Sequence, residues 1–342
     1  MNDDLKLLEA TAADIFAAYQ DRPGLWEELE EAGLTAIGIP EEAGGSGGDA
    51  EQAAVVLRAA AYHAAETPLA ETLWLAGPLL AAAGLLVPAG RLTAAESHDG
   101  ELTLERDGAG WRLDGTLKRV PWARDAQRIA VVVDGRLCSV APAAATLVHH
   151  HNLAGEPRDD VSFAGVGLAA DQVAELPQGP TLRLRGALAR SIQLAGAAQR
   201  ALEHSLRYAG ERRQFGRPIA AFQAMQQYLA QIAGEVAILE LSTRSAVAAL
   251  ADPGADLTAT VAAVRANACR AAGVVAELSH QVHGAIGTTH EHDLRRSTLR
   301  LWSWREEYGN ENQWAGALGL LAAAAEDPWH LITGTVTATT RS

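Results

Sequence analysis

The spacing of hydrophobic and polar positions changes twice along the chain and divides it into three parts. Residues 4–86 are rich in Ala and Leu at helical spacing and are interrupted by prolines. Residues 88–180 contain short alternating runs separated by turn residues, which is typical of antiparallel strands. Long amphipathic segments with helical spacing return between residues 182 and 325.

The order of these parts predicts an α+β protein that is mainly α-helical. We expect an N-terminal α-helical domain over residues 1–87, a shortened β domain over 88–180 and a C-terminal four-helix bundle over 181–342. The sequence Asp-Pro-Gly-Ala-Asp at 252–256 predicts a break between two bundle helices. The apolar run 73–87 is interpreted as a buried helix because glycines and a proline interrupt it.

Charge and cysteine content narrow the classes of function. A net charge of -14 and a pI near 5.2 argue against nucleic acid or an anionic membrane as a partner. Cys138 and Cys269 are too few for a disulfide framework and too far apart for a Cys-x-x-Cys motif. The first residues lack the basic start and apolar core of a signal peptide, so a cytoplasmic protein without membrane insertion is expected.

The most informative segment is 208–223, a basic and aromatic turn between two helical patterns. Arg212 and Arg213 are planar cations with several donors, which suits a pyrophosphate. Gly216 permits close approach of the backbone, and Pro218 then opens a helix. The segment therefore predicts an anion site, the alternative being that its arginines only solvate a helix end.

Three segments in order resemble the acyl-CoA dehydrogenases. Residues 208–223 resemble the flavin-binding helix–turn–helix of that family, and residues 279–292 resemble its second flavin segment, with Ala285 in place of a glycine. Residues 25–48 are similar to the helix, turn and Gly-rich loop that open these enzymes. The resemblance implies the family's three-part fold and an FAD cofactor, whose contacts would be Arg212, Gln214, Phe215, Gln281 and Gly284.

The resemblance also implies a carboxylate base that removes the α-proton of an acyl-CoA thioester. In much of the family this residue precedes a glycine after the second flavin segment, where this chain has Tyr308. In other members it lies on the first bundle helix, at a position that corresponds to Gly186. A one-residue shift of register would make Glu307 the base, with Glu306 beside it, the alternative for both being a solvated acidic helix end.

This pattern resembles the short, base-lacking subunits of two-gene actinobacterial acyl-CoA dehydrogenases that degrade steroid side chains. It implies α,β-dehydrogenation of a bulky acyl-CoA by a heterotetramer. A homologous partner subunit would supply the base and most of the flavin pocket, and an electron-transfer flavoprotein would accept the electrons. Two alternatives stay open: a self-sufficient homo-oligomeric flavin dehydrogenase or monooxygenase, and a non-enzymatic scaffold without flavin.

Histidine-rich segments do not predict a metal site. Successive side chains of residues 149–151 would alternate in direction, so they cannot converge on one ion. Glu277 and His280 have a spacing used in di-iron bundles, but no second copy of it is present in the sequence. His283, His290 and His292 follow Gln281 and are left without a role.

Overall fold

The computed structural model describes residues 3–98 and 100–329 and divides the chain into two compact units. The first unit comprises the chain up to Val56 together with Glu66–Arg185. The second comprises Leu57–Ala65 and the chain from Gly186 onward. Each unit has its own apolar core.

Helices open the first unit, as predicted. They are α1 (Asp3–Ala18), α2 (Leu25–Glu31), α3 (Ala50–Tyr62), whose end belongs to the second unit, a π-helical segment (Ala70–Ala76) and α4 (Gly77–Ala82). Pro78 has no backbone N–H and cannot continue the regular ladder, which explains a π-helical turn just before it. The predicted buried helix over 73–87 is confirmed as far as Ala82, and Gly84 follows it with a left-handed φ of 69°.

Two four-stranded sheets complete the first unit. The strands are β1 (Leu92–Glu96), β2 (Leu102–Asp107), β3 (Gly110–Pro121), β4 (Arg128–Val133), β5 (Arg136–Val140), β6 (Thr146–Val148), β7 (Arg158–Leu168) and β8 (Val173–Glu175). Their orders are β1-β4-β5-β8 and β2-β3-β7-β6. Alternate residues such as Leu113, Val131 and Phe163 fill the core. The expectation of antiparallel strands is correct except for β1 and β4, which pair in parallel.

The second unit is helical. Its helices are α5 (Leu182–Glu211), α6 (Gln223–Ala249), α7 (Leu257–His283), α8 (Leu294–Trp304) and α9 (Glu311–Ala324). The predicted break falls between α6 and α7, where the Asp256 side chain caps α7 by accepting a hydrogen bond from Ala259 N at 2.9 Å. Alanines of α5 and α7 contribute to one apolar core, and α6, α8 and α9 pack against α7.

The predicted class, α+β and mainly helical, is confirmed. The domain boundaries at 87/88 and 180/181 stay predictions, although helix gives way to strand after Ala82 and returns at Leu182. Across residues 3–98 and 100–329, no helix has the length and apolar character needed to span a bilayer.

Candidate functional site

A two-stranded hairpin joins α5 to α6 and carries the predicted anion segment. Strands β9 (Arg213–Gln214) and β10 (Arg217–Pro218) pair across a turn formed by Phe215 and Gly216. Both turn residues have positive φ, 49° and 79°, as a tight two-residue hairpin requires. Glycine adopts this conformation freely, whereas Phe215 is strained and has 93% of its surface exposed. An aromatic ring is thus held out at the tip of the hairpin.

The three arginines of this hairpin differ in what they bind. Arg213 donates to the carbonyl of Gly216 at 3.2 Å, and the Arg217 guanidinium lies 4.2 Å from the ring centre of Phe222. The exposed guanidinium of Arg212 has no partner among residues 3–98 and 100–329. Its backbone is nevertheless fixed at both ends by hydrogen bonds of 2.8 Å to Tyr208 and Ile219. Arg212 is therefore the one of the three whose guanidinium makes no contact with another described residue, so all its donors are available for a ligand.

The second predicted flavin segment lies at the same end of the helices. Val282 packs with Ala209 and Leu229, and Tyr208 stacks on His283 at 4.5 Å between ring centres. Gln281, one residue before Val282, is exposed. Gly284 ends α7 with φ 65° and ψ −149°, a conformation that is essentially restricted to glycine. The structure thus brings together the two segments that carry all five predicted flavin residues.

A cluster of neutral rings lies beneath this end of the helices. The ring of His292 contacts those of His204, Tyr208 and His283, and Tyr208 also stacks on His283. Burial lowers the pKa of His204 and of His283 to about 4, and it lowers the pKa of His292 as well. His283 Nδ1 lies 2.7 Å from the carbonyl of Ser279, so this nitrogen carries the proton. Two of the histidines without a predicted role, His283 and His292, therefore support the segment as uncharged packing groups, while His290 is exposed.

The two positions at which the family resemblance placed a base meet in space. The ring of Tyr308 lies against Gly186, and a Cβ at Gly186 would overlap three of its ring carbons. Tyr308 has a left-handed φ of 55°, and its carbonyl accepts a hydrogen bond from Trp314 Nε1 at 2.9 Å. Both positions are thus filled by one phenol ring, and no side chain fits at Gly186 without moving it.

Glu307 is held by a buried arginine. Arg190 Nε donates to Glu307 Oε2 at 2.7 Å, and the two side chains are 2% and 16% exposed. Arg190 also donates to Gln193. Glu306 is 57% exposed beside Arg305, so a solvated helix-end charge describes Glu306 but is wrong for Glu307.

Arg265, which the sequence pattern did not single out, fixes the turn that carries these residues. It is fully buried, and its Nη2 donates to the carbonyls of Trp304 and Glu307 at 2.6 Å each. Its Nε donates to the carbonyl of Gly309 at 3.3 Å, and burial lowers its pKa. An arginine on the otherwise Ala- and Val-rich buried face of α7 was the available signal in the sequence.

Within residues 3–98 and 100–329, no group of three or more His, Cys, Asp or Glu is arranged to hold a metal ion. His150 faces Asp160, with 3.6 Å between Nε2 and Oδ2, whereas His151 Nε2 lies 3.3 Å from Arg124. His280 Nε2 lies 3.0 Å from the hydroxyl of Thr298, and Glu277 is exposed. These side chains therefore serve separate local contacts.

Two family models match the chain. The model described as "Acyl-CoA dehydrogenase, N-terminal domain" matches residues 6–85, and the model described as "Acyl-CoA dehydrogenase, C-terminal domain" matches residues 184–312. The second match covers Gly186, the hairpin, both predicted flavin segments and the turn at Tyr308.

Curated relatives cover most of the chain. Acyl-CoA dehydrogenase IpdE2 of Mycolicibacterium smegmatis is 30% identical over 301 residues, which are 84% of this chain and 84% of the relative. Acyl-CoA dehydrogenase FadE28 of Mycobacterium tuberculosis is 28% identical over 325 residues, 88% of this chain and 93% of the relative.

Solved structures share the fold. A chain of the ChsE4-ChsE5 complex from Mycobacterium tuberculosis matches with a TM-score of 0.87 and 23% identity, covering 95% of this chain and 98% of that one. A chain of the Tcur3481-Tcur3483 steroid ACAD matches with a TM-score of 0.82 and 26% identity, covering 94% and 98%.

Proposed function

The chain belongs to the acyl-CoA dehydrogenase family, and on that basis we propose that it is one subunit of an FAD-dependent enzyme completed by a homologous partner. Family membership confirms the predicted fold and the predicted class, an oxidoreductase of the acyl-CoA dehydrogenase type. The proposed reaction is α,β-dehydrogenation of a bulky, steroid-like acyl-CoA. The 26% identity to a chain of a steroid ACAD named for two proteins supports both the substrate class and the paired assembly.

The observation that carries the proposal is the closed contact between Gly186 and Tyr308. A general base must have its carboxylate within hydrogen-bond reach of the proton that it removes. Here a phenol ring fills both base positions, and an unperturbed phenol has a pKa of about 10. The nearby Glu307 already binds Arg190. We therefore assign proton abstraction to a carboxylate of the partner subunit.

The residues at the hairpin fit an FAD. Arg212 offers unpaired guanidinium donors, and Gln214 and Gln281 offer exposed amides for the polar groups of a dinucleotide. Phe215 offers an exposed ring at the hairpin tip. The flavin, when bound, would supply the acceptor for the β-hydride of the substrate. The chain's own part is to hold the pyrophosphate and the neighbouring portion of the cofactor.

Exposed apolar helix surface supports assembly with another subunit. Residues 315–324 of α9 contain no charged side chain, and Trp314 is the one buried residue of this fully described helix. Leu320 is 75% exposed, and on α6 Ile238 and Leu241 are 50% and 64% exposed. A helix that is apolar on every face is normally covered by protein, so these surfaces are proposed to contact the partner.

The test is to co-express the chain with a homologous acyl-CoA dehydrogenase subunit that carries a Glu before its active-site glycine. We expect a hetero-oligomer, fewer than one flavin per chain, and acyl-CoA oxidation with an electron-transfer flavoprotein as acceptor. A chain that is yellow, monomeric and active by itself would overturn the proposal. A colourless chain that leaves the partner's flavin content and turnover unchanged would instead identify a scaffold.

A further inference from the structure

A half-buried cation in the first unit has no acidic partner among the residues that the structure describes. Arg185, in the first turn of α5, is half-buried, and its Nη1 lies 3.5 Å from the carbonyl of Trp74. No acidic side chain of residues 3–98 and 100–329 pairs with it. Burial alone lowers the pKa of this guanidinium, without an opposing charge to raise it.

The local sequence explains why Arg185 is held there. Trp74 Nε1 donates to the Arg185 carbonyl at 3.1 Å, while the Trp74 carbonyl faces the Arg185 guanidinium. Pro78 cannot donate a backbone hydrogen bond to that carbonyl from the next turn. The π-helical segment, all of whose residues are buried, therefore presents a fixed carbonyl and indole to Arg185.

An arginine in this setting is unfavourable for the protein by itself. Removing a guanidinium from water without an opposing charge destabilises a fold, and such groups are normally paired or bound to a ligand. A single carbonyl at 3.5 Å is a weak substitute for the fork-shaped pairing that a guanidinium makes with an oxyanion. The remaining donors are thus free to bind a carboxylate or phosphate.

We propose that Arg185 is the recognition group of an oxyanion subsite for the acyl-CoA substrate. The oxyanion is a carboxylate on the acyl group or a phosphate of the CoA moiety, which share the same donor requirement. This inference rests on the proposed function, which makes an acyl-CoA the substrate of the assembly.

The first experiment needs no activity. Thermal unfolding of the full chain is followed in chloride and in inorganic phosphate or glutarate at equal ionic strength, for wild type, Arg185→Met and Arg183→Met. Arg183 is an exposed arginine two positions earlier and controls for the loss of one charge. We expect Arg185→Met to melt at an unchanged or higher temperature in chloride and to lose the stabilisation by the oxyanion. Arg183→Met should keep that stabilisation.

The second experiment, on the co-expressed assembly, distinguishes a carboxylate of the acyl group from a phosphate of CoA as the bound oxyanion. If the oxyanion is on the acyl group, Arg185→Met should lower kcat/KM about ten- to a hundred-fold for an ω-carboxylated acyl-CoA and leave its methyl-terminated analogue unchanged. If the oxyanion belongs to CoA, Arg185→Met should lower kcat/KM equally for both CoA thioesters and leave kcat/KM unchanged for the corresponding pantetheine thioesters.

The proposal is wrong if two results are obtained together. Arg185→Met lowers the melting temperature in chloride, and the three proteins are stabilised equally by phosphate and by glutarate. It is also wrong if all thioesters keep their kcat/KM in the variant. Should the assembly oxidise no acyl-CoA, the proposed function fails, while the anion-dependent melting still decides whether Arg185 binds an oxyanion.

Discussion

Two regions of the second unit differ in whether their polar side chains bind other residues of the chain. At the hairpin, Arg212 is exposed without a partner among the described residues, and Phe215 is held outward in a strained conformation. At the turn around Tyr308, Arg265 and Arg190 are buried and bind carbonyls and Glu307, and the ring of Tyr308 fills the space at Gly186. The first region has exposed groups left for a ligand, whereas in the second the arginines bind internally, although the buried Nη1 of Arg265 has no hydrogen-bond partner among the described residues.

This difference indicates which part of a dehydrogenase site the chain retains. A ligand site needs donors that the fold leaves unpaired, and a catalytic base needs a carboxylate with access to the substrate. The hairpin meets the first requirement, and the turn does not meet the second. Under the proposed function, the chain holds a cofactor whose acid–base chemistry belongs to the partner.

The largest effect is expected from removing Arg265, which fixes the turn around Tyr308. Arg265→Met should lower the free energy of unfolding by roughly 3 kcal/mol, since it leaves three carbonyls without their donor at about 1 kcal/mol or more each. Urea titration of the isolated chain measures this. Arg244→Met is the control, because Arg244 pairs with Glu240 at 3.6 Å on the surface of α6 and should contribute less than about 1 kcal/mol. Equal losses in both variants would show that Arg265 does not hold the turn.

The hairpin is tested through its unpaired arginine. Arg212→Ala should weaken FAD retention by the assembly by roughly ten- to a hundred-fold, which is about 1.5–3 kcal/mol of charge-assisted hydrogen bonding. The melting temperature should fall unless FAD is added. Lys at this position should restore binding only partly. Arg213→Ala removes an arginine already bound to Gly216 and should change FAD affinity far less. An unchanged flavin-to-chain ratio in Arg212→Ala would show that Arg212 is a solvated charge that does not bind FAD.

Acid should weaken the histidine-lined end of the helices. His204 and His283 have an ordinary pKa of 6.5 and a folded pKa of about 4. Between these values the unfolded chain binds more protons, so stability falls as pH drops from 6.5 toward 4, with no contribution from these groups above 6.5. The loss should be on the order of 2 kcal/mol per histidine. His283→Phe, which keeps a ring against Tyr208, should flatten the dependence of melting temperature on pH. The same slope in wild type and variant would contradict the assignment.

Overpacking Gly186 tests the closed contact directly. Gly186→Ala should destabilise the chain by about 1–3 kcal/mol, because the new methyl group overlaps the Tyr308 ring. The Gly186→Ala, Tyr308→Ala double variant should recover most of the Gly186→Ala loss, which a double-mutant cycle measures by calorimetry. Simple additivity of the two changes would show that the ring does not fill this space in solution.

The smallest effect is expected on turnover. Glu307→Gln should leave kcat of the co-expressed assembly within a few-fold of wild type, since the base is assigned to the partner. Loss of a general base normally reduces the rate roughly 10²–10⁴-fold. A decrease of that size with FAD still bound would show that Glu307 is the base and that the register placing Tyr308 there is shifted by one residue.

Much of the fold could be predicted because it follows from local features. The change from helical to alternating spacing located the sheets, and the Asp-Pro-Gly-Ala-Asp break located the start of α7 at its Asp256 cap. The parallel pairing of β1 with β4 was missed because alternation is the same in either direction. The π-helical turn before Pro78 was missed because the apolar run fits any buried helix.

The order of elements and the family resemblance could be worked out from the sequence, and the flavin segments were predicted from it, since these depend on neighbouring residues. The tertiary structure was needed to show that Arg212, unlike Arg213 and Arg217, contacts no other described side chain, and that the Tyr308 ring fills the space at Gly186. It also revealed Arg265 as the residue that fixes the turn. The physical reason is that packing between residues far apart in the chain determines which side chains satisfy one another, and periodicity does not report such contacts.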